Sequence, residues 1–144
     1  MTTDPSVRTQ RGPVRVLVVD DFEPWRRWVR SVVGMQEQLQ IVGESSDGLE
    51  AVLKAQELRP ELILLDINLP SLDGLEASKR ILGAAPETKI IYVTTQTDPD
   101  LVSVAMSNGV LGYVSKNEAA NDLLRAIDSV LRAERFVSGV PQPS

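Results

Sequence analysis

A doubly wound α/β fold, one parallel sheet of five strands covered on both faces by five helices, is the architecture the sequence predicts. Three observations lead there. Five short runs rich in Val, Ile and Leu alternate with longer stretches whose apolar residues recur at helical spacing. The runs are apolar nearly throughout, as strands buried on both faces must be, and a helix lies between each successive pair, which is how parallel strands are joined. In such a sheet the ligand crevice lies outside the carboxyl ends of the strands, beside the switch in strand order.

Residues 1–13 are polar, contain Pro5 and Pro13 and hold no sustained period, so they read as a flexible arm. The first strand is VRVLVVDD (14–21), which ends on two acids. PWRRWVRSVVGMQ (24–36) follows as a helix with Trp25, Trp28, Val29, Val32 and Val33 on one face and Pro24 at its first turn. QIVGESS (40–46) is the second strand. GLEAVLKAQEL (48–58), stopped before Pro60, is a helix with Leu49, Val52, Ala55 and either Leu58 or Leu53 turned inward. ELILLDI (61–67) is the third strand and LEASKRILGA (75–84) its helix. KIIYVTT (89–95) is the fourth strand, and LVSVAMSNG (101–109) a helix opened by Asp98-Pro99 and closed by Asn108-Gly109. LGYVSK (111–116) completes the strands. NEAANDLLRAIDSVLRAE (117–134) is the last helix, with Leu123, Leu124, Ile127, Val130 and Leu131 on one face. The expected organisation is therefore an arm at 1–13, one domain at 14–134, and a tail or linker at 135–144.

Composition narrows the chemistry. The 144 residues carry 15 Lys+Arg against 20 Asp+Glu, a net charge of -5, which argues against nucleic-acid binding by phosphate neutralisation. No apolar run approaches the ~18 residues of a membrane span and no signal-like segment opens the chain, so the expected location is the cytoplasm. With no cysteine and no histidine there is no thiol, imidazole base or imidazole ligand. Any metal is held by oxygen, which favours Mg²⁺, Ca²⁺ or Mn²⁺.

The strand ends concentrate the polar chemistry. The first strand ends in Asp20 and Asp21, the third in Asp66, the fourth in Thr94 and Thr95, and the fifth in Ser115 and Lys116. Taken singly each has an ordinary explanation: Asp66 as a helix cap, the Asp pair as a solvated loop, the threonines as strand ends, Lys116 as a surface lysine. Together they place three carboxylates, a hydroxyl and an ammonium on one crevice. Close carboxylates repel one another unless a cation sits among them, so the set reads as an oxygen-lined cation site beside an anion site.

The order DD, then D-I-N-L-P-x-x-D-G, then V-T-T, then G-Y-V-S-K closely resembles the receiver domains of two-component response regulators, over about residues 14 to 134. That resemblance implies a flavodoxin-like fold with strand order 2-1-3-4-5. It implies that Asp66 accepts the phosphoryl group, that Asp20 and Asp21 form an acidic pocket for Mg²⁺, and that the Asn68 carbonyl is a further ligand. Thr94, 22 residues before Lys116 as is typical of the family, matches the switch hydroxyl, Lys116 the phosphate-binding lysine, and Tyr113 an aromatic that changes rotamer. The implied partner is a sensor histidine kinase or phosphotransfer protein, since a chain without histidine cannot be its own phosphohistidine donor. Self-phosphorylation from a small phosphodonor and slow self-dephosphorylation are implied too.

Two departures stand out. Thr95 occupies a position often held by a small residue, which would narrow the route to Asp66. Asn117 follows Lys116 where family members often have a cis proline, and a trans bond is the expectation because a cis bond without proline costs ~3 kcal/mol. Trp25 and Trp28 read as core packing. Two rival functions are a haloacid-dehalogenase-like phosphatase, which would require a second acid where Asn68 stands, and a pseudo-receiver that binds a partner without phosphorylation. GYVSK and LLRAIDSVLRAERFVS resemble receivers of helix-turn-helix transcription regulators, so either an output domain follows or the output is protein contact. The expected output surface is helix 4, strand 5 and helix 5, with Asp122, Arg125, Asp128 and Arg132 on the exposed side of the last helix and a homodimer as one outcome.

Overall fold

A computed structural model describes residues 12–138. Most of the arm at 1–13 and most of the tail at 135–144 lie outside the described residues. The elements run β1 (Val14–Val19), α1 (Glu23–Gly34), β2 (Leu39–Ser45), α2 (Gly48–Leu58), β3 (Leu62–Leu65), α3 (Gly74–Ala84), β4 (Lys89–Thr94), α4 (Pro99–Met106), β5 (Gly112–Ser115), a 3₁₀ turn (Lys116–Glu118), α5 (Ala119–Leu131) and β6 (Phe136–Val137). All pairings are parallel, in the order β2-β1-β3-β4-β5-β6. The doubly wound sheet is as expected, with one strand more. β6 donates from the Phe136 amide to the Leu111 carbonyl and from the Ser138 amide to the Tyr113 carbonyl, at 2.9 and 2.8 Å. It therefore covers part of the edge of β5 that the sequence reading left open.

Each strand feeds two cores because successive side chains point to opposite faces. Val16 and Val18 of β1, Leu62 and Leu64 of β3, and Ile91 and Val93 of β4 face Val29 and Val33 of α1 and Leu123, Ile127 and Val130 of α5. Leu17, Val19, Ile63, Leu65, Ile90 and Tyr92 face the other way, onto Ala51 of α2, Ile81 of α3 and Ala105 of α4. Burial of one such Val or Leu contributes ~1.5–3 kcal/mol, which is why the buried stretches Val16–Val19, Leu62–Leu65 and Ile90–Val93 hold no charge. The inner face of α2 is in part the expected one: Val52, Ala55 and Leu58 pack against the core, and Leu49 does not. Leu49 and Leu53 are 47% and 65% exposed, while Ala51 is fully buried. The helix starts in close packing at Gly48, where a Cβ would stand 1.7 Å from the Leu72 carbonyl oxygen.

The helix starts are set by side chains. Asp47 accepts from the Glu50 amide at 2.7 Å and Asp73 accepts from the Glu76 amide at 2.9 Å, each an N-cap worth ~1 kcal/mol. Asp73, not Asp66, thus caps α3, and Asp66 is left for other work. Gly74 follows because the chain doubles back against Asp66; its amide donates to the Ile67 carbonyl at 2.7 Å. Among the described residues every peptide bond is trans, Lys116–Asn117 included.

Candidate functional site

β1 and β3 are neighbours, and both chains turn polar as they leave the sheet. Asp20 follows β1 with its amide donated to the Ser45 carbonyl, and Asp66 follows β3 with its amide donated to the Val19 carbonyl, each at 3.0 Å. Backbone pairing thereby continues one residue beyond the strands and fixes both carboxylates at one edge. Carboxylate oxygens of Asp20, Asp21 and Asp66 come within 4.8 Å of one another. Asp20 and Asp66 are buried, and Asp21 is exposed.

Lys116 enters from the end of β5. Its Nζ lies 3.2 Å from Asp66 Oδ2, to which it donates, and 2.6 Å from Asp20 Oδ2. The second approach is an ion pair off the line of a hydrogen bond, so Asp20 Oδ2 is buried with no aligned donor. Asp20 Oδ1 accepts from the Phe22 amide at 2.9 Å, and Asp66 Oδ1 from the Asn68 amide at 3.3 Å. Burial pushes the Asp20 carboxyl above its ordinary range; the Lys116 ammonium and the Phe22 amide oppose that shift, and Asp66 adds to it.

The remaining residues fall around this centre. Thr94, the last of β4, is fully buried and its hydroxyl accepts from the Gln96 amide at 3.4 Å, so it is engaged with the following loop rather than with Asp66. Thr95 is exposed and Asn68 lies in the exposed turn after Asp66. Ser115 stays out of the centre: its hydroxyl accepts from the Asn117 amide at 3.3 Å and starts the 3₁₀ turn. Tyr113 is already inside. It is 1% exposed, its ring meets Tyr92 edge-on at 6.2 Å between centroids, and its hydroxyl donates to the Gln96 carbonyl at 2.7 Å. The rotamer change that the resemblance implies for Tyr113 starts from an inward ring, because Tyr92 and the Gln96 carbonyl give it a seat without any phosphoryl group. Burial, helped by Asp66 and Asp98, pushes the Tyr113 phenol up to about 12.

Three neighbours were not read from the sequence as part of the site. Trp25 lies with its ring centroid 5.1 Å from Lys116 Nζ. Arg26 donates from Nη1 to the Asp20 carbonyl at 2.6 Å and from Nε to Glu44 at 3.0 Å, bracing the turn that carries both acids. The position of Trp25 just beyond the Asp pair was the available signal, but its helical spacing with Val29 pointed to the core. Beneath Thr94, the Tyr92 hydroxyl meets Ser78 at 2.5 Å and accepts from Asn108 at 3.1 Å, tying β4 to α3 and to the end of α4.

Residues 16–128 match the family described as response regulator receiver domain. The chain belongs to that family. The receiver is 34% identical over 125 residues to the response regulator GacA of Pseudomonas protegens, a match covering 87% of this chain and 59% of GacA. It therefore spans about three-fifths of the length of that curated relative. Among solved structures, a LuxR-family two-component response regulator from Aurantimonas superposes with a TM-score of 0.84 at 27% identity, over 88% of this chain and 91% of that one. The response regulator domain of Thermotoga maritima CheB gives 0.78 at 34% identity, over 83% and 97%. The receiver's flavodoxin-like sheet is that of its family. No helix among the described residues is long and apolar enough to cross a membrane.

Proposed function

We propose that this receiver accepts a phosphoryl group on Asp66 from a phosphohistidine of a sensor kinase or phosphotransfer protein, and that the transfer depends on Mg²⁺. The observation that carries the reading is the buried Asp20–Lys116–Asp66 bridge with Asp21 at its mouth: two carboxylates share one ammonium and a third stands beside them, leaving negative charge that a divalent cation would balance. The unaligned Asp20 Oδ2 fits the same cation, because an oxygen ligand needs no donor. Asp20, Asp21 and Asp66, with the Asn68 carbonyl, would hold it. When bound, Mg²⁺ supplies Lewis-acid charge to offset incoming phosphoryl oxygens.

The chain's own residues do the rest. An Asp66 carboxylate oxygen forms the bond to phosphorus as the donor's N–P bond breaks, and the departing imidazole nitrogen takes up a proton. The Asn68 amide on Oδ1 and Lys116 on Oδ2 fix the nucleophile's orientation, an entropic contribution made before the donor arrives. Lys116 then has a phosphoryl oxygen to hold in place of one carboxylate. The Thr94 hydroxyl, bound only through a long contact to the Gln96 amide, can leave it for that group; such a differential contact is what a phosphorylation switch requires. With Tyr113 already seated, the change passes through the Gln96 loop into α4. The output surface is then α4, β5 and α5 with β6 across the strand edge, and phosphorylation strengthens a homodimer or partner contact there. Asp122 contributes less to that surface than expected, since it is mostly buried and accepts from Ser138 at 2.8 Å. A phosphoryl supply through a kinase places this work in the cytoplasm, and the likeness to a LuxR-family regulator supports transcriptional control as the output.

Treatment with acetyl phosphate, with and without Mg²⁺, separates the readings by intact mass and released phosphate. A slowly decaying gain of one phosphoryl group only with Mg²⁺ supports the proposal. Rapid turnover of phosphomonoesters would favour the phosphatase reading, and no gain at all would leave a partner-binding pseudo-receiver.

A further inference from the structure

The first turn of α1 follows directly on Asp20 and Asp21, and it carries Trp25 over the same crevice that Lys116 enters from β5. Lys116 Nζ lies 5.1 Å from the centre of the indole, within the range in which a cation is attracted to an aromatic face. The Lys116 side chain is only 13% exposed, so water screens that attraction little. The indole is itself held: it is partly buried against the core beneath α1 and leans on Trp28, with centroids 4.9 Å apart and planes 32° from parallel. A lysine has four flexible carbons and many rotamers, and the two carboxylates grip its end from one side only. The aromatic face supplies a further, fixed boundary.

We propose that Trp25 is a positioning residue for Lys116, holding the ammonium in the crevice by a cation–π contact so that it stands ready to receive the phosphoryl oxygens. The inference rests on the reading of Asp66 as phosphoacceptor. In it, Lys116 exchanges a carboxylate for a phosphoryl oxygen without losing its aromatic contact, so the side chain is not reordered during transfer. Loss of the ring leaves Lys116 with more conformers and slows phosphorylation of Asp66 by roughly threefold to tenfold, the range a partly desolvated cation–π contact can supply.

Two arms test this on the full chain. The first needs neither metal nor phosphodonor. NMR of the Lys116 ε-methylene should show upfield ring-current shifts in the parent, and these should disappear in Trp25→Leu. The second replaces tryptophan by its mono-, di- and trifluorinated analogues in a Trp28→Phe background, so that Trp25 alone carries fluorine. Fluorine withdraws charge from the ring face while barely altering its shape, so the rate of phosphorylation by acetyl phosphate should fall stepwise with fluorine number, and Trp25→Phe should fall between parent and Trp25→Leu. Unshifted Lys116 resonances in the parent, or a rate indifferent to fluorination, would overturn the proposal and leave Trp25 as core packing. If the parent takes no phosphoryl group, the reading of Asp66 fails, while the NMR arm still decides whether the indole holds the ammonium.

Discussion

Replacing Lys116 by methionine keeps most of the side chain's apolar length and removes its charge from between Asp20 and Asp66. The two carboxylates are 1% and 6% exposed, so water can do little to replace the ammonium. Removing one partner of a buried ion pair costs about 3–5 kcal/mol; because Asp21 opens this crevice to solvent, the lower end applies, about 3 kcal/mol. For a chain of this length that loss lowers the melting temperature by roughly 5–10 °C. The cost should depend on pH. The folded Asp20 carboxyl lies above its ordinary value of 3.8, chiefly through burial, so its contribution to stability is fully present below 3.8 and is lost as pH rises through the higher folded value. Without Lys116 that folded value rises further, because the ammonium is what opposes the shift, and the gap between variant and parent should narrow as pH is lowered toward the carboxylate range. Added Mg²⁺ should stabilise the variant more than the parent; at a hundred times its Kd a cation contributes about 2.7 kcal/mol, enough to offset most of the deficit. Thermal melts in chelator and in Mg²⁺ at several pH values give all three results. A variant as stable as the parent in chelator, with an equal response to Mg²⁺, would refute the bridge as the electrostatic centre of the site.

Gly74→Ala should cost roughly 3 kcal/mol and impair phosphorylation together, because the new Cβ would stand 2.1 Å from the Asp66 carbonyl oxygen and 2.8 Å from Ile67 Cα, both backbone atoms. A denaturant midpoint close to the parent's would show that the turn relaxes freely. Tyr92→Phe removes a buried hydroxyl that joins Ser78 and Asn108, and urea unfolding should show a loss of about 1–2 kcal/mol with an unchanged m-value. An unaltered midpoint would mean that this hydroxyl does not tie α3 to α4. Beryllofluoride with Mg²⁺ should shift sedimentation toward a dimer, and Thr94→Ala should weaken that shift; a monomer in every state would remove the homodimer from the output.

The acidic strand ends were legible because a charge is costly inside an apolar run: Asp20 and Asp66 stand just past the last apolar residues of β1 and β3, and although each alone had an ordinary reading, their shared place at one sheet edge could be read from the strand pattern. Which acid caps α3 was not read: Asp66 was the candidate named, and the structure gives that place to Asp73. What was missed depends on partners distant in the chain. β6 is two residues long and gains its place from the edge of β5 and from the cores that bury Phe136 and Val137, partners distant in the chain, so in sequence the two look like any tail. The start of α2 packs closely at Gly48 against Leu72, a contact that helical periodicity does not contain. Trp25 has the spacing of a core residue and also lies on the crevice; its attraction for Lys116 exists only after the sheet brings β5 beside the others. For Tyr113 the sequence shows the ring but not its rotamer, which Tyr92 and the Gln96 carbonyl decide.

The central claim is that the Asp66 carboxylate is the group that receives phosphorus, and chemical trapping of the acyl phosphate tests it most directly. Reduction with borohydride after acetyl phosphate treatment converts a phosphorylated aspartate to homoserine, and peptide sequencing by mass locates the converted residue. The account predicts homoserine at position 66 alone, formed only when Mg²⁺ was present, and none in Asp66→Asn. Conversion at Asp20 or Asp21 in the parent, or continued labelling of the Asp66→Asn variant, would contradict it.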